Sequence, residues 1–262
     1  MTRWLAALLC AAVVAACATS PLGRSQLILF PESEMSDMGA AAFQEMKQQT
    51  PAMADAGVNR YVRCVADHII RALPGETPAA WEVRVFDDEQ VNAFALPGRK
   101  IGVYRGLLEV AENQSQLATV MGHEVAHVLA KHSNERVSTN YAVGTGMQVV
   151  QIATGADTAA KQQLFGLLGL GVQVGVLMPF SRSQEAEADL IGLDLMADAG
   201  FDPRESVKLW QNMNEQGGAK PPEFLSTHPS GERRISELNA RMSDAMQRSL
   251  NARSAGRVPD CD

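Results

Sequence analysis

Five consecutive residues carry the strongest chemical signal in the chain: His123-Glu124-Val125-Ala126-His127, an H-E-x-x-H run. On an α-helix, positions four apart lie about 40° apart around the axis, so both imidazoles can reach one metal ion. Glu124 projects to the side, close enough to hold a water on that metal, which is the arrangement of a zinc peptidase. The motif works only on a helix. Leu117, Val120, Met121, Val125, Val128 and Leu129 recur at helical spacing, and no Pro interrupts the run through Val137, so a helix is predicted over 115–138 with Ser115 as N-cap. Gly122 costs about 1 kcal/mol of helix propensity, but it lets another backbone approach the turn that bears His123.

A catalytic zinc site takes three protein ligands and keeps one position for water, so one ligand is missing. His132 is a tempting third, but the long H-E-x-x-H motif needs Gly and His where this chain has Ala130 and Ser133. His132 reads instead as a polar residue near the helix end, where a cation is favoured. A better source is the acidic stretch Glu185-Ala186-Glu187-Ala188-Asp189, which opens a predicted helix over 183–199. Glu185 and Asp189 share a face, so one can ligate the metal while the other accepts a hydrogen bond from a ligand imidazole. Glu187 lies about 200° around the helix from Glu185 and points away.

Other elements must position these side chains. Helices are predicted over 33–49, 55–73, 105–112, 142–154, 158–178, 203–216 and 230–250 by apolar period. Trp81, Val83 and Val85 alternate with polar residues, as in a strand. Asn92–Leu96 and Lys100–Tyr104 flank a Pro97-Gly98 turn and read as a hairpin. The fold class is therefore α+β, mostly helical, with a small three-stranded sheet, antiparallel or mixed, ahead of the metal helix. Residues 162–181 carry no charge; three glutamines and four glycines argue for a helix packed on protein, with a lid or a membrane contact left open.

The N-terminus reads as a leader. Arg3 supplies the positive region, Trp4 to Ala16 an apolar stretch too short to span a membrane, and Val14-Ala15-Ala16-Cys17 the small residues before a Cys to be lipidated. An ordinary secretory signal cut near Ala16 or Ala18 is the alternative. Residues 1–16 are expected to be removed, 17–32 to be a lipid-anchored tether, 33–250 the catalytic domain and 251–262 a tail. Ala18, where an Asp would favour the inner membrane, points to an outer-membrane lipoprotein facing the periplasm of a bacterial envelope. With Cys17 acylated, Cys64 and Cys261 are the remaining pair in an oxidising compartment, either bonded or two free thiols. The net charge of −7 argues against nucleic acid as a partner.

The combination of His123-Glu124-x-x-His127 with Glu185-x-x-Ala188-Asp189 resembles metallopeptidase family forty-eight. Asn92-Ala93-Phe94-Ala95-Leu96-Pro97-Gly98, Gly200-Phe201-Asp202-Pro203 and Thr227-His228-Pro229 extend the resemblance over roughly residues 35–245. It implies a gluzincin-type domain holding one Zn(2+) per chain on His123, His127 and Glu185, with Glu124 as the base and Asp189 supporting a ligand histidine, His123. It also places His228 and Arg234 facing the metal. His228 is then either a donor to the oxyanion of the tetrahedral state or a fourth ligand that shuts the site, and Arg234 a second oxyanion candidate. Arg99 departs from the pattern, since many relatives carry Gly there. With neither several spans nor a repeat array, the nearest resemblance is a compact, LoiP-like periplasmic lipoprotein.

Peptide substrates often bind as an added strand on a sheet edge. Asn92, Ala93, Phe94 and Ala95 are the candidate edge. The expected partners are unfolded or misassembled envelope proteins, cleaved internally. A chaperone-like binding module with a closed, mainly structural zinc site is the other reading; the intact Glu124 argues against it.

Overall fold

A computed structural model describes residues 17–154, 179–216, 223–228 and 232–261. The expected leader, the helix predicted over 158–178 and Pro229 lie outside the described residues. In chain order the elements are β1 (Cys17–Thr19), β2 (Ser25–Leu27), α1 (Glu32–Gln49), α2 (Ala56–Arg71), β3 (Glu82–Phe86), β4 (Ala93–Leu96), β5 (Lys100–Tyr104), α3 (Gln114–Leu129), α4 (His132–Thr154), α5 (Arg182–Asp198), α6 (Glu205–Gln216), α7 (Glu223–Thr227) and α8 (Glu232–Ser254). Residues 105–109 form a 3-10 turn rather than a full helix.

The sheet is mixed, with strand order β3-β5-β4: β3 runs parallel to β5, and β4 pairs antiparallel with β5 in the register Ala95 to Ile101. Strand β4 is therefore an edge. Residues Ala93–Leu96 form it, while Asn92 sits just before it, its side-chain oxygen accepting from the Ala93 amide at 3.0 Å. Alternation splits β4 between two clusters. Phe94 and Leu96 join Phe43, Phe86 and Tyr104 on one side; Ala93 and Ala95 face the main core on the other. The turn after β4 holds Gly98 at φ 85° and Arg99 at φ 62°. The left-handed region costs a non-glycine residue about 1–2 kcal/mol, which gives the expected departure at Arg99 a physical meaning.

Helix α3 lies at the centre, and every residue from Gln116 to His127 is buried. Such a helix is held by its surroundings. Asn113, not Ser115, caps it, accepting from the Ser115 and Gln116 amides at 3.0 Å each. The Ser115 hydroxyl instead accepts the Asp202 amide. Leu117, Met121 and Val125 are fully enclosed, each stabilising the fold by about 1.5–3 kcal/mol. Helix α5 starts with a capping box, Ser181 and Gln184 bonding each other's backbone. It crosses α3 where two glycines meet: a Cβ on Gly122 would stand 2.8 Å from the Gly192 carbonyl oxygen, and one on Gly192 would stand 2.7 Å from the His123 nitrogen. Gly122 thus serves the close backbone approach that its place in the motif suggested.

Two sequence readings change. The helix predicted over 115–138 is two, because α3 ends at Ala130 and Lys131 takes φ 54° before α4 begins. Residues 17–27, read as part of a tether, form an antiparallel ribbon with Ser20 and Gln26 buried. It packs on the α3–α4 break, where the Gln26 side-chain amide donates to the Ala130 carbonyl at 2.6 Å. Of the two alternatives for Cys64 and Cys261, the bonded one is present: Cys261 is disulfide-bonded to Cys64 of α2, with Cα atoms 5.6 Å apart, which docks the C-terminal tail. Among the described residues, no helix is long and apolar enough to cross a membrane.

Candidate metal centre

His123 and His127 leave α3 on one face, one turn apart, and their Nε2 atoms lie 3.1 Å apart. Glu185 reaches in from the first turn of α5, 3.5 Å from His123 Nε2 and 3.4 Å from His127 Nε2. His228, immediately after α7, brings Nδ1 to 3.0 Å from Glu185 and 3.2 Å from His123 Nε2. Ligand atoms of all four residues lie within 4.8 Å of one another, and all four side chains are buried. Converging lone pairs of imidazoles and a carboxylate repel unless a cation sits among them, so the donor set fits one metal ion. Nitrogen and carboxylate donors in this number suit zinc.

Burial and the neighbouring hydrogen bonds together set the protonation of the group. Desolvation holds the His127 imidazolium well below its ordinary range despite the pull of Glu185, leaving a neutral ring able to ligate. Burial alone would raise Glu185, but hydrogen bonds from His127 and His228 outweigh it and keep the carboxylate ionised. Glu124 responds the other way: burial pushes it above the usual carboxylate range, with His228 and His123 opposing only in part. That is the direction a proton-accepting base needs. Glu124 Oε1 is buried with no hydrogen-bond partner among the described residues, while Oε2 accepts from the Ala95 amide at 3.3 Å. The edge strand and the base are therefore adjacent.

Asp189, one turn beyond Glu185, accepts from His123 Nδ1 at 3.0 Å. Its other partner is Arg234 of α8, whose Nε and Nη2 stand 2.5 and 2.7 Å from the two carboxylate oxygens. Burial would raise Asp189, but the Arg234 cation outweighs it and holds the group ionised. Arg234 also approaches Glu185 at 2.8 Å and covers the Trp210 ring at 3.9 Å. Its guanidinium thus faces two carboxylates, those of Glu185 and Asp189, beside the ligand cluster.

His132 is not the helix-end polar residue that its sequence position suggested. The left-handed turn at Lys131 swings it under His127, where the two Nδ1 atoms lie 2.8 Å apart and the ring is fully buried. Its Nε2 meets Glu187 Oε2 at 3.1 Å. Glu187 does point away from Glu185, but into protein. Two further neighbours escaped sequence reasoning. Phe180 stacks on His127 at 3.7 Å between centroids, and the Arg136 guanidinium lies 3.7 Å from the Phe180 ring. Burial lowers Arg136 to about 10, which leaves it cationic at neutral pH. A cation four residues past His132 was the available signal for Arg136; nothing marks Phe180.

An H-E-x-x-H helix whose carboxylate ligand arrives from a later helix defines a glutamate-ligand zinc metallopeptidase. The chain belongs to peptidase family M48, whose sequence pattern residues 56–242 match. It is 38% identical over 187 residues to the mitochondrial metalloendopeptidase OMA1 of Schizosaccharomyces pombe, covering 71% of this chain and 53% of that protein. It is 32% identical to the metalloendopeptidase OMA1 of Bos taurus, over 86% of this chain and 46% of the relative. With the β-barrel assembly-enhancing protease of Escherichia coli it shares 27% identity over 78% of this chain and 43% of the relative. The chain spans about half the length of the curated relatives it matches.

Proposed function

We propose that the chain is a zinc endopeptidase that hydrolyses peptide bonds of unfolded or misassembled proteins in the bacterial cell envelope. The observation that carries this reading is the placement of Glu124: buried, beside the metal-ligand cluster and hydrogen-bonded to edge strand β4. A structural zinc site has no use for such a group. His123, His127 and Glu185 hold the ion; Asp189 and Arg234 fix His123. Zinc, when bound, supplies Lewis acidity that polarises the scissile carbonyl and acidifies water to a pKa of about 7. Glu124 takes the proton of the attacking water and returns it to the leaving amine. An extended substrate pairing with Ala93–Leu96 would lie over Glu124, as strand addition requires.

His228 stands where a fourth ligand would, with Nε2 3.3 Å from Glu124 Oε1. Four donors are the coordination of a closed site, and this favours one further reading, a chaperone-like module with structural zinc. In the catalytic reading His228 shuts the site and must leave for substrate to enter. Glu124→Gln separates the two. The catalytic reading expects unchanged zinc content and a casein-cleavage rate lower by about 10²–10⁴-fold. A Glu124→Gln protein that clears misfolded substrate as well as wild type means that binding is the function.

Val14-Ala15-Ala16-Cys17 fits a lipoprotein leader, and a Cys64–Cys261 disulfide suits an oxidising compartment. Together they favour an outer-membrane lipoprotein facing the periplasm, similar to compact LoiP-like enzymes. The bacterial relative's name, a β-barrel assembly-enhancing protease, agrees with substrates in envelope assembly.

A further inference from the structure

The two ligand histidines are buttressed differently, and the second buttress reaches the N-terminal ribbon. His123 leans directly on Asp189. His127 leans on His132, which leans on Glu187. Glu187 in turn accepts from the Ser20 hydroxyl, from the Leu22 amide at 3.3 Å and from Arg24 Nε at 3.0 Å. Arg24 is itself fixed by both oxygens of Glu135, with Nη2 to Oε2 at 2.6 Å. Every member between Ser20 and His127 is buried. A metal held by His127 Nε2 would fix proton placement along this chain. A metal on His127 Nε2 requires the proton on Nδ1, which must then donate to His132 Nδ1. His132 consequently carries its proton on Nε2 and donates it to Glu187. A carboxylate terminates the series, and the ribbon holds that carboxylate in place.

We propose that His132 and Glu187 are positioning residues for the metal ligand His127, and that the docked ribbon of residues 17–27, through Ser20, Leu22 and Arg24, sets how tightly the metal is held. The inference rests on the zinc-site reading but not on catalysis. It makes the segment next to Cys17 a working part of the metal centre.

The test is zinc affinity of the full chain, read by competition with a chromophoric chelator, with metal-free thermal unfolding measured alongside. His132→Leu removes the bridge and keeps the volume; its zinc Kd should rise by about 10–100-fold. His132→Gln restores an acceptor for His127 and a donor for Glu187, and should recover most of the loss. Glu187→Gln, close in shape, should weaken zinc by about tenfold, and Arg24→Gln by several-fold. Arg241→Gln breaks the Arg241–Asp194 pair on the far face of α5 and should leave zinc affinity unchanged. Wild-type affinity in both His132→Leu and Glu187→Gln overturns the proposal, as does His132→Gln failing as badly as His132→Leu, since packing would then explain the loss. A wild-type protein that binds no zinc would sink the functional reading instead.

Discussion

The Gly122–Gly192 contact makes a quantitative demand on the metal centre. In Gly192→Ala the new Cβ would stand 2.7 Å from the His123 nitrogen, and 2.9 Å from both the Gly122 carbonyl carbon and the His123 Cα. Carbon contacts settle at about 3.5–4.0 Å, and all three obstacles are backbone, so α3 and α5 must part by roughly 0.6–1 Å. Overpacking of this kind costs about 1–3 kcal/mol. Replacing a mid-helix Gly returns about 1 kcal/mol, so the net stability loss is about 0–2 kcal/mol. The metal is less forgiving. His123 rides on α3 and Glu185 on α5, and ligand distances tolerate only about 0.2 Å. Zinc Kd should therefore rise at least tenfold, or about 1.4 kcal/mol, even where the metal-free protein melts almost normally. Gly75→Ala is the control: at φ 76° with no atom within 4 Å, it strains the chain by about 1–2 kcal/mol far from the site. Chelator competition and thermal unfolding on both variants decide the matter. If Gly192→Ala loses stability but holds zinc like wild type, the helix crossing does not set the ligand geometry.

Replacing Cys64 by Ser opens a cross-link spanning 197 residues and should cost about 2–5 kcal/mol in urea unfolding, with zinc content unaffected; a loss under 1 kcal/mol would mean that the tail holds by packing alone. Arg99→Gly relieves a left-handed residue by about 1–2 kcal/mol, gives up an exposed ion pair with Glu76 of about 0.2–1 kcal/mol and loosens the unfolded chain by about 0.5–1 kcal/mol. These nearly cancel, so a melting shift of more than a few degrees in either direction would contradict the turn geometry. Glu135 is partly buried, which would raise it, but Arg24, Gln184 and Gln26 outweigh that and hold it low. A carboxylate with a depressed folded pKa binds its proton more weakly in the native state. Its stabilisation is full above the unfolded value of about 4.3 and is lost as pH falls through the folded value. Amide protection in residues 17–27 should fall on acidification below that value before protection in α8 does; simultaneous loss would mean that the ribbon is not separately held by charge.

The sequence carried the metal site because helical periodicity is a local property. His123, Glu124 and His127 needed only the four-residue spacing and an apolar face. Glu185 and Asp189 needed only to share a face, and the choice between them came from family resemblance rather than from spacing. His132 was illegible for a definite reason. Its role depends on Lys131 entering the left-handed region, where neither Gly nor Asn marks the turn, so the apolar pattern reads straight through the break. The ribbon was hidden by length: strands of three residues are too short for alternation to show. Asn113 displaced Ser115 as cap because the helix begins at Gln114, three residues before Leu117 opens the apolar pattern. The hairpin was readable from Pro97-Gly98, whereas the parallel pairing of β3 with β5 is a long-range choice with no local mark.

Helix α5 gathers the separate supports of the site. Glu185 and Asp189 project toward the ligand cluster and His123, and Glu187, about 200° around the axis from Glu185, projects toward the other side of the centre. It cannot touch His127 from there. A second imidazole spans the gap, and His132 can do so only because α3 breaks at Lys131 and the chain turns back beneath the ligand. One rigid turn of α5 thus holds one ligand directly and both histidines through different partners, Arg234 completing one arm and the N-terminal ribbon the other. The capping box at Ser181 and the glycine crossing at Gly192 fix that turn from its start and from its flank. A displacement of α5 would consequently disturb all three ligands together, whereas loss of the ribbon would loosen His127 alone and leave His123 supported by Asp189.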